Sequence, residues 1–514
     1  MTAPPYQRKI QALEEILAAV GPRPRARTVG MCHGVFDLVH PGHLRHLSYL
    51  KEKVDVLVVS LTCDAEVGKG AHRPYVPEAL RALNVAALEV VDYVVIDRAP
   101  TPLAVIATLQ PELFAKGYEY HAEGRSAATD AEADAVRAYG GQMLFTPGDV
   151  VYSSTAILDA APPPLALEKL LALLEAEGVT FATLRAVLER ARSARVTVCG
   201  DTIVDAYTTG TLLGAAQKTA AVSLQHQGTE TFIGGAAVVA RHLHAAGANV
   251  NFLTVLGEDA AGERVARELA PELDLRDVAD PFRPTTVKER FQVDGRTLLQ
   301  VDRVDSRPIS DGALEFLAHH LWAMQAALVI FSDFRHGIFG AHSIARLTAA
   351  IPPAALRVAD SQVATRWGNI LDFRGFDLLT PNEREARFAL GDQDSALRPL
   401  ALELYRRAGC RGLLLKLGAR GVLGYRRPDV EVRDFFVLDS LVDRPVDPVG
   451  AGDALLAYAA LGLLVSGSLV VAAVLGSVAA AVGCERAGNV PVRAEEVLDK
   501  LTSLEKRATF GAGA

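Results

Sequence analysis

Short apolar runs alternate with amphipathic stretches along the first third of the chain, and this alternation predicts the fold. The stretches HLRHLSYLKEK and PEALRALNVAAL have the spacing of helices that bury one face. Around them lie segments predicted to be strands, namely TVGMCHGVFD, VDVLVVSL, VDYVVID, PELFAKG and GQMLFTPGD. Because apolar strands alternate with helices, we expect a parallel sheet with helices on both faces.

A proline-rich break separates this region from a second series of the same kind. The segment DAAPPPLALEKL interrupts regular structure, and a helical stretch follows it to about residue 194. New apolar runs then begin, consisting of ARVTVCGDTIVDAY, NVNFLTVLGED, ALVIFSDF, LRVAD, DLLTPN and GLLLKLG. We therefore expect an α/β domain over residues 25–160, a helical linker over 161–194 and a second α/β domain over 195–505.

Composition excludes several classes of function. At 514 residues the chain is too long for one compact core. A formal net charge of −8 provides no basic surface for nucleic acid. The five cysteines are scattered without a CxxC pair, so neither a disulfide framework nor a thiolate zinc site is expected. The segment MTAPPYQRKIQALEEI lacks the apolar core of an export signal, so we expect a cytoplasmic protein.

One uncharged run is long enough to span a bilayer. It is LLVSGSLVVAAVLGSVAAAVG, residues 463–483. Its alanine and glycine content, together with the SGS sequence at 466–468, favours two buried helices joined by a turn. We therefore expect no membrane partner.

Four histidines lie in the segment HGVFDLVHPGHLRHL, where a predicted strand turns into a helix. Gly42 lets a phosphate approach the backbone of this turn. His40 and His43 fall on one side of it, and we expect them to donate hydrogen bonds to phosphate charge in a transition state. The alternative, a zinc site, lacks an HExxH pattern and a nearby third ligand. We expect His46 on the helix surface and leave the role of His33 open.

This segment resembles the signature of the HxGH nucleotidyltransferases, specifically the cytidylyltransferase-like group. Three later segments match that family in its own order, namely RPYVPEALRALNVAALEVVDYVV, PELFAKGYEY and GDVVYSSTAIL. The resemblance implies a Rossmann-like nucleotidyltransferase domain in which Lys116 joins His40 and His43 as a catalytic group. It also implies nucleotide or phosphate contacts from Gly34, Phe36, Gly42, Arg73, Arg81, Ser153, Ser154 and Thr155.

The reaction that this resemblance implies is attack by a sugar phosphate on the α-phosphorus of a nucleoside triphosphate. Pyrophosphate leaves, the three catalytic groups neutralise developing charge, and Mg²⁺ assists. Asp37 is expected to orient the loop rather than to act as a base. Base selectivity depends on backbone contacts that no residue type identifies, so both ATP and CTP are candidates.

A second candidate site lies in DPVGAGDALLA, residues 447–457. Gly450, Ala451 and Gly452 leave backbone amides free to form an anion pocket at a helix N-terminus. Asp453 lies where a carboxylate can take a proton from an attacking hydroxyl while the γ-phosphate faces those amides. The alternative is a glycine-rich helix cap in which Asp453 is an N-terminal charge partner.

The region from about residue 195 to 500 resembles the ribokinase-like, PfkB-type sugar kinases. The segments that carry the resemblance are GDTIVDAY, FIGGAAVVARHLHAAGANV, TPNEREA, LKLGARGVLGY and GNVPV. It implies an ATP-dependent kinase, an α/β sandwich with a small β lid, in which Asn382 and Glu385 act indirectly on the Mg²⁺ network. It also implies sugar contacts from Asp201, Asp205, Gly234 and Gly235, and nucleotide contacts from Gly418, Gly421 and Asn489.

Within these kinases, PTTVKERFQVDGRTLLQVDRVD resembles the heptose 7-phosphate kinases, in which a similar strand pair approaches the phosphosugar. Lys288, Arg290 and Arg303 are then candidates for the distal phosphate, or else surface charges of a hairpin. One position departs from the family, because GGAAVVA places Val238 where an asparagine usually contacts the sugar. A valine cannot bond a hydroxyl, so a contact worth about 1 kcal/mol is absent or replaced.

Together the two regions resemble the bifunctional heptose 7-phosphate kinase/heptose 1-phosphate adenylyltransferase family, with the domains in reversed order. One reaction would create the anomeric phosphate that the other activates. The resemblance implies a homodimeric enzyme that uses a phosphosugar and nucleoside triphosphates to make an ADP-heptose-type product. Two alternatives remain, a CTP-dependent transferase joined to a different sugar kinase and a kinase-fold domain that only binds sugar. The intact GAGD and NERE sequences argue against the second alternative.

Overall fold

A computed structural model describes residues 5–67, 74–117, 127–146, 166–215, 222–362, 370–427 and 434–511. The chain divides into two compact units, Met1–Ala172 and Leu173–Ala514. The division falls within the segment expected to be a helical linker. In the described part of that segment the chain forms two helices, which are numbered below as α6 and α7.

The N-terminal unit is built on a parallel sheet. Its described strands are β1 (Val29–Gly34), β2 (Val56–Thr62), β3 (Tyr93–Asp97), β4 (Leu113–Gly117) and β5 (Gln142–Thr146). Its described helices are α1 (Leu13–Val20), α2 (Pro41–Lys51), α3 (Glu78–Ala86), α4 (Leu103–Leu109) and α5 (Ala127–Ala138). The strands lie in the order β3-β2-β1-β4-β5 with parallel pairings between neighbours, as predicted.

Apolar side chains fill both faces of this sheet. Every residue of β2 is buried, which explains its almost continuous apolar sequence. Leu47, Leu57 and Val85 belong to the core on one face, and Ile16 and Val58 belong to the core on the other. The strand order reverses between β1 and β4, so the carboxyl ends of these two strands border the crevice where such folds bind ligands.

The C-terminal unit includes the end of α6 (Ala166–Ala176) and all of α7 (Phe181–Ala191), and it combines two sheets with covering helices. Its described strands are β6 (Arg195–Gly200), β7 (Thr202–Ala215), β8 (Val222–Gly235), β9 (Asn249–Gly257), β10 (Asp274–Asp280), β11 (Thr286–Val293), β12 (Arg296–Arg303), β13 (Leu328–Asp333), β14 (Leu356–Ser361), β15 (Leu378–Leu379), β16 (Leu413–Lys416), β17 (Val422–Tyr425) and β18 (Phe435–Leu438). Its described helices are α8 (Ala236–Ala245), α9 (Ala260–Leu269), α10 (Asp311–Ala323), α11 (Ala341–Ala349), α12 (Glu383–Leu390), α13 (Leu397–Ala408), α14 (Ala451–Ser466), α15 (Leu469–Cys484) and α16 (Ala494–Gly511).

The main sheet of this unit has the order β10-β9-β6-β13-β14-β15-β16-β17-β18. Its strands are parallel from β10 to β16, and β17 and β18 add antiparallel pairings. A smaller sheet has the order β12-β11-β7-β8. The expected α/β sandwich with a small β lid is therefore present.

The uncharged run at residues 463–483 belongs to α14 and α15. The first helix ends at Ser466 and the second begins at Leu469, so the SGS sequence forms the turn between them, as predicted. Both helices are buried along most of their length. Within the described ranges, none of the helices combines the length and apolar character that a membrane crossing needs.

Polar residues gather at one edge of the main sheet. Asp201 follows β6, Asp333 ends β13, Asp360 lies near the end of β14, Thr380 follows β15 and Lys416 ends β16. Because parallel strands end at the same edge, residues far apart in the chain meet there. This edge is where the C-terminal candidate site lies.

Candidate active sites

The N-terminal candidate site forms around the turn from β1 into α2. His40 is the N-cap of α2, and its Nδ1 accepts a hydrogen bond from the backbone N–H of Gly42 at 3.1 Å. A Cβ on Gly42 would lie 2.8 Å from the His40 ring, so only a glycine fits without displacing that ring. The ring centroids of His40 and His43 are 3.9 Å apart, and that of Phe36 is 4.9 Å from His43. The structure therefore groups these four predicted site residues.

His43 is a neutral imidazole near neutral pH. Burial lowers its pKa to about 4, and the neighbouring His40 and His46 add to the shift. A neutral imidazole still donates one hydrogen bond to an anion. A bound phosphate would itself favour the protonated ring, because an opposite charge stabilises the charged form.

Asp37 orients the loop, as expected. Its two carboxylate oxygens accept hydrogen bonds from the backbone N–H groups of Tyr75 at 2.9 Å and Val76 at 2.8 Å.

At the end of β1, a Cβ on Gly34 would lie 3.1 Å from the Phe36 ring, so this glycine lets the ring lie close to the strand. The expected nucleotide contacts of Gly34 and Phe36 stay predictions.

The two remaining histidines of the motif contact neighbouring strands. The Nδ1 atom of His46 lies 2.8 Å from Oγ1 of Thr146 at the end of β5, so His46 bridges to the sheet instead of lying free on the helix surface. The ring nitrogens of His33 lie 2.9 Å from Ser60 Oγ and 3.0 Å from Thr62 Oγ1. Burial and the nearby Lys116 lower the pKa of His33 to about 4, so it is a neutral, packed side chain.

Lys116 lies on β4, directly beside β1. Its Nζ donates a hydrogen bond to Thr129 Oγ1 at 3.1 Å and forms an ion pair with Glu132, and both partners lie on α5. Its charge contributes to the lowered pKa of His33 at the end of β1. The histidine turn and Lys116 thus occupy the carboxyl ends of adjacent strands, as a shared phosphate site requires.

The side chain of Arg81 is fully buried, at 0% exposed. Its guanidinium donates to the backbone oxygens of Val76 and Thr62 at 2.9 Å, to that of Val35, and to Asp64 Oδ1 at 2.6 Å. A guanidinium with these protein acceptors fixes the loop after β1. The geometry supports this positioning role, and the expected nucleotide contact stays a prediction.

The other residues of the predicted nucleotide site, Arg73, Ser153, Ser154 and Thr155, lie outside the described residues. Their contacts stay predictions. The histidine turn and Lys116 are therefore the part of this site that the geometry brings together.

The C-terminal candidate site forms where α14 begins. Gly450 is the N-cap, and its φ of +76° is a left-handed conformation that favours glycine. Ala451, Gly452 and Asp453 form the first turn. The Ala451 N–H donates to the Pro448 oxygen at 3.3 Å, and the N–H groups of Gly452 and Asp453 lack partners within the helix. A Cβ on Gly450 would collide with the side-chain amide of Asn489. The predicted anion pocket thus has the geometry of a helix N-terminus with Asn489 packed against it.

Asp453 is half-buried in this first turn. Burial raises the pKa of its carboxyl group to about 7, Asp360 adds to the increase, and Lys416 opposes it. A group that titrates near the working pH is suited to general base catalysis. The base role of Asp453 is therefore chemically reasonable and stays a prediction.

Asn382 and Glu385 form a reciprocal cap at the start of α12. The Asn382 backbone N–H and Nδ2 donate to the two Glu385 carboxylate oxygens at 2.7 and 2.6 Å, and Asn382 Oδ1 accepts from the Glu385 N–H at 2.9 Å. Burial raises the pKa of Glu385, and the nearby Lys416 opposes this. Because both carboxylate oxygens already have partners, Glu385 fits an indirect contact to a metal ion through water.

Glycines bring the lid close to the main sheet. Gly235 has a φ of +67°, and a Cβ there would collide with the backbone oxygen of Asp201. A Cβ on Gly234 would lie 2.5 Å from Asp205 Oδ2. Val238, which replaces the expected asparagine, is only 4% exposed on α8 and packs into the core.

The Asp201 carboxylate is engaged by the protein. It accepts hydrogen bonds from the backbone N–H groups of Phe334 at 3.0 Å, His336 at 3.2 Å and Ile338 at 3.4 Å. Burial raises its pKa, and the nearby Asp333 adds to the shift. Asp201 therefore fixes the segment after β13, and its expected contact to the sugar stays a prediction.

The three basic residues predicted for a distal phosphate do not share one face of the lid. Arg290 Nη1 lies 2.6 Å from Asp205 Oδ1, so these two predicted substrate contacts pair with each other. Lys288 precedes Arg290 by two residues on β11 and shares its face. Arg303 pairs in register with Val287, which places the exposed Arg303 on the opposite face. The position of Arg303 therefore fits the alternative of a surface charge, and the phosphate contacts of Lys288 and Arg290 stay predictions.

Gly418 and Gly421 form the turn between β16 and β17. Their φ angles are +61° and +87°, and the Leu417 N–H donates to the Gly421 oxygen at 2.8 Å. A Cβ on Gly421 would collide with the backbone oxygen of Leu438. The turn needs these glycines for its own geometry, and their nucleotide contacts stay predictions.

An ion pair between Lys416 and Asp360 was not predicted from the sequence. Lys416 Nζ donates to Asp360 Oδ1 at 2.8 Å, and Thr380 Oγ1 donates to the same oxygen at 2.9 Å. A Cβ on Gly452 would lie 3.7 Å from Lys416 Nζ. Burial opposes the charge of Lys416, but Asp360 and Glu385 outweigh it and raise its pKa. A lysine at the end of the apolar strand LLLK was the available signal.

Two family models match the two units. The model of the pfkB family carbohydrate kinases matches residues 193–493, which is more than half of the chain. The chain belongs to the pfkB family of carbohydrate kinases. The cytidylyltransferase-like model matches residues 31–160. The pfkB region contains the site around Asp453, and the cytidylyltransferase-like region contains the histidine turn and Lys116, so both expected resemblances are confirmed.

Curated relatives and solved structures are similar to parts of this pfkB-family chain. The Bifunctional protein HldE of Bradyrhizobium sp. (strain ORS 278) is 28% identical over 344 residues, or 62% of this chain and 66% of that protein. The Bifunctional protein HldE of Geobacter metallireducens is 38% identical over 154 residues, or 29% of this chain and 30% of that protein. The match thus spans just under two thirds of the length of the Bradyrhizobium protein and just under one third of the length of the Geobacter protein. The ribokinase of Arabidopsis thaliana, solved with ribose and ATP, is 20% identical and covers 60% of this chain and 99% of that chain, with a TM-score of 0.48.

Proposed function

We propose that the protein is a cytoplasmic, homodimeric and bifunctional enzyme that makes a nucleotide-activated sugar. The C-terminal unit uses ATP to phosphorylate a phosphosugar, namely heptose 7-phosphate at C1. The N-terminal unit transfers a nucleotidyl group from ATP to a sugar 1-phosphate, giving an ADP-heptose-type product and pyrophosphate. The proposal is supported by the pfkB and cytidylyltransferase-like matches and by the similarity to proteins named Bifunctional protein HldE.

The kinase half rests on Asp453, whose carboxylate lies in the first turn of a helix beside the Gly450–Gly452 loop. The acceptor hydroxyl gives its proton to this carboxylate as its oxygen bonds to the γ-phosphorus. The bond from that phosphorus to the β–γ bridging oxygen breaks, and ADP leaves. The backbone N–H groups of the turn face the charge of the transferred group.

Mg²⁺ fits this kinase site through indirect contacts. In the described ranges no group of three or more His, Cys, Asp or Glu side chains is arranged to hold a metal ion. Mg²⁺ in such sites keeps several waters and binds substrate phosphates with one or two carboxylates. Glu385 and Asp360 would hold it through water, and when bound it neutralises charge on the phosphates.

The transferase half rests on the histidine turn and Lys116. An oxygen of the sugar phosphate bonds to the α-phosphorus, the bond from that phosphorus to the α–β bridging oxygen breaks, and pyrophosphate leaves. His40 and His43 donate hydrogen bonds to the phosphate oxygens, and Lys116 supplies a positive charge from the adjacent strand. We propose ATP as the nucleotide, and CTP is the alternative that the experiment below tests.

A second candidate function is favoured by Val238. Since this buried valine cannot bond a sugar hydroxyl, the kinase could act on a phosphosugar other than heptose 7-phosphate. A kinase-fold unit that only binds sugar is the further alternative. The two kinase candidates differ in the acceptor that causes ADP release, whereas a unit that only binds sugar releases none.

An acceptor screen tests these functions. Purified protein with Mg²⁺ and either ATP or CTP is assayed for ADP release with sugar 7-phosphates and for pyrophosphate release with sugar 1-phosphates. We expect ADP release with heptose 7-phosphate and ATP-dependent pyrophosphate release with heptose 1-phosphate. Asp453→Asn should abolish the first and leave the second unchanged, and an unchanged circular dichroism spectrum controls for folding of the kinase half.

Other outcomes of the screen contradict specific parts of the proposal. Pyrophosphate release with CTP alone would replace the adenylyl reaction by a cytidylyl reaction. ADP release with a different phosphosugar would support the second candidate. Wild-type protein that binds sugar without acceptor-dependent ADP release would leave only the binding function.

A further inference from the structure

Lys416 is held rigidly at the carboxyl edge of the main sheet. Its backbone N–H donates to the Pro381 oxygen at 2.8 Å, which ties β16 to the segment before α12. Its side chain is only 15% exposed, and its Nζ lies 2.8 Å from Asp360 Oδ1. Both ends of the residue are therefore fixed by the protein.

The ammonium of Lys416 lies next to the anion pocket. A Cβ on Gly452, within that pocket, would lie 3.7 Å from Lys416 Nζ. An ammonium carries three N–H donors. Among the residues that the structure describes, Asp360 is the acceptor that hydrogen-bonds to the Lys416 ammonium. Donors therefore remain for an anion bound at the start of α14.

The charges around this position give Lys416 a specific task. The carboxylates of Asp360, Glu385 and Asp453 all act on the Lys416 ammonium. A phosphoryl group that enters such an acidic surrounding is repelled unless a cation offsets those charges. A lysine binds phosphate as a point charge and needs no planar geometry at the contact.

We propose that Lys416 is a catalytic residue of the kinase reaction, whose ammonium bonds an oxygen of the transferred phosphoryl group. The inference rests on the proposed kinase function. In the reaction, the phosphoryl oxygens lie between the backbone N–H groups of the first turn of α14 and Lys416. The ammonium stays protonated throughout and takes no part in proton transfer, which belongs to Asp453.

The test compares Lys416→Gln with a matched control, Arg426→Gln. Arg426 follows the neighbouring strand β17 and pairs with Glu177 at 2.6 Å, so its replacement also removes a partly buried ion pair. We expect Lys416→Gln to lower kcat for acceptor-dependent ADP release about 100-fold or more, as loss of a transition-state donor does, with KM for ATP changed much less. Lys416→Arg should keep an intermediate kcat. Arg426→Gln should keep the wild-type kcat, and both Gln variants should keep wild-type pyrophosphate release.

A binding measurement separates this inference from the proposed function. Aluminium fluoride mimics a phosphoryl group in transfer, and calorimetry measures its effect on the affinity for ADP with Mg²⁺. We expect fluoride-dependent tightening in the wild type and its loss in Lys416→Gln, with affinity for ADP alone unchanged. If the wild type releases no ADP with any acceptor, the proposed function fails, and this measurement still decides whether Lys416 binds a phosphoryl group at this site. An unchanged kcat in Lys416→Gln, no tightening in the wild type, or equal tightening in both proteins would overturn the inference.

Discussion

The side-chain amide of Asn489 packs against Gly450 so closely that a Cβ on residue 450 would collide with it. This contact joins the GAGD loop to the GNVPV segment, two motifs that lie about forty residues apart in the chain. Gly450 also has a φ of +76°. The glycine is therefore required both by the backbone conformation and by its neighbour.

Gly450→Ala should lower the kinase activity severely. The added Cβ costs about 1–2 kcal/mol in a left-handed conformation, and the clash with Asn489 then displaces the turn that binds phosphate. Steady-state ADP release should fall about 100-fold, while pyrophosphate release stays at the wild-type level. The double variant Gly450→Ala/Asn489→Ala removes the clash but keeps the backbone strain and loses the predicted nucleotide contact of Asn489. Its kcat at saturating ATP should therefore recover only part of the loss.

Gly375→Ala is the matched control for strain alone. Gly375 has a φ of +68°, and a Cβ there would meet no heavy atom within 4 Å. We expect it to lower the stability of the pfkB unit by about 1 kcal/mol without changing the kinase kcat. Equal behaviour of the two glycine variants in the kinase assay would contradict the importance of the contact with Asn489.

The kinase reaction should lose activity below neutral pH. Burial raises the pKa of Asp453 to about 7, and only the deprotonated carboxylate can accept the proton of the sugar hydroxyl. The value of kcat/KM for the sugar should therefore rise with pH up to about 7 and fall about tenfold per pH unit below it. Initial rates between pH 5.5 and 8.5 provide the measurement, and circular dichroism over the same range checks that the protein stays folded.

The residual activity of Lys416→Gln gives this profile a second check. Lys416 lowers the pKa of Asp453, so its removal should move the midpoint of the profile to higher pH. If kcat/KM of the wild type does not change across pH 7, Asp453 is not the general base of the kinase reaction.

Arg81→Ala should destabilise the N-terminal unit by about 3–5 kcal/mol, because it leaves buried acceptors without their partner. Arg98→Ala is the control, since Arg98 is 68% exposed and pairs with Glu78 at 3.5 Å. Its loss should cost less than about 1 kcal/mol.

Urea unfolding followed by circular dichroism measures the free energy of unfolding of both variants. The chain's two tryptophans, Trp322 and Trp367, belong to the C-terminal unit, so their fluorescence should report an unchanged transition. Unchanged stability in Arg81→Ala with a raised KM for the nucleotide would instead support the predicted nucleotide contact of Arg81.

Local patterns along the chain predicted both α/β units, the parallel sheets and the turn at the SGS sequence. They succeeded because apolar periodicity and glycine turns act over a few neighbouring residues. The glycine loop before Asp453 and the strand-to-helix turn at His40 were found for the same reason. The burial of Arg81 was not predicted, since an arginine on an amphipathic helix gives no local sign that loop carbonyls will surround it.

The sequence by itself determined where strands, helices and glycine turns form, and which motifs could bind phosphate. Only the tertiary structure decided which side chains meet at those motifs. Lys416 and Asp360 are 56 residues apart and pair because β14 and β16 end at the same edge of a parallel sheet. Arg303 faces away from Arg290 because the register between β11 and β12 alternates the two faces of the lid. Strand order and register are relations between distant segments, and no local pattern contains them.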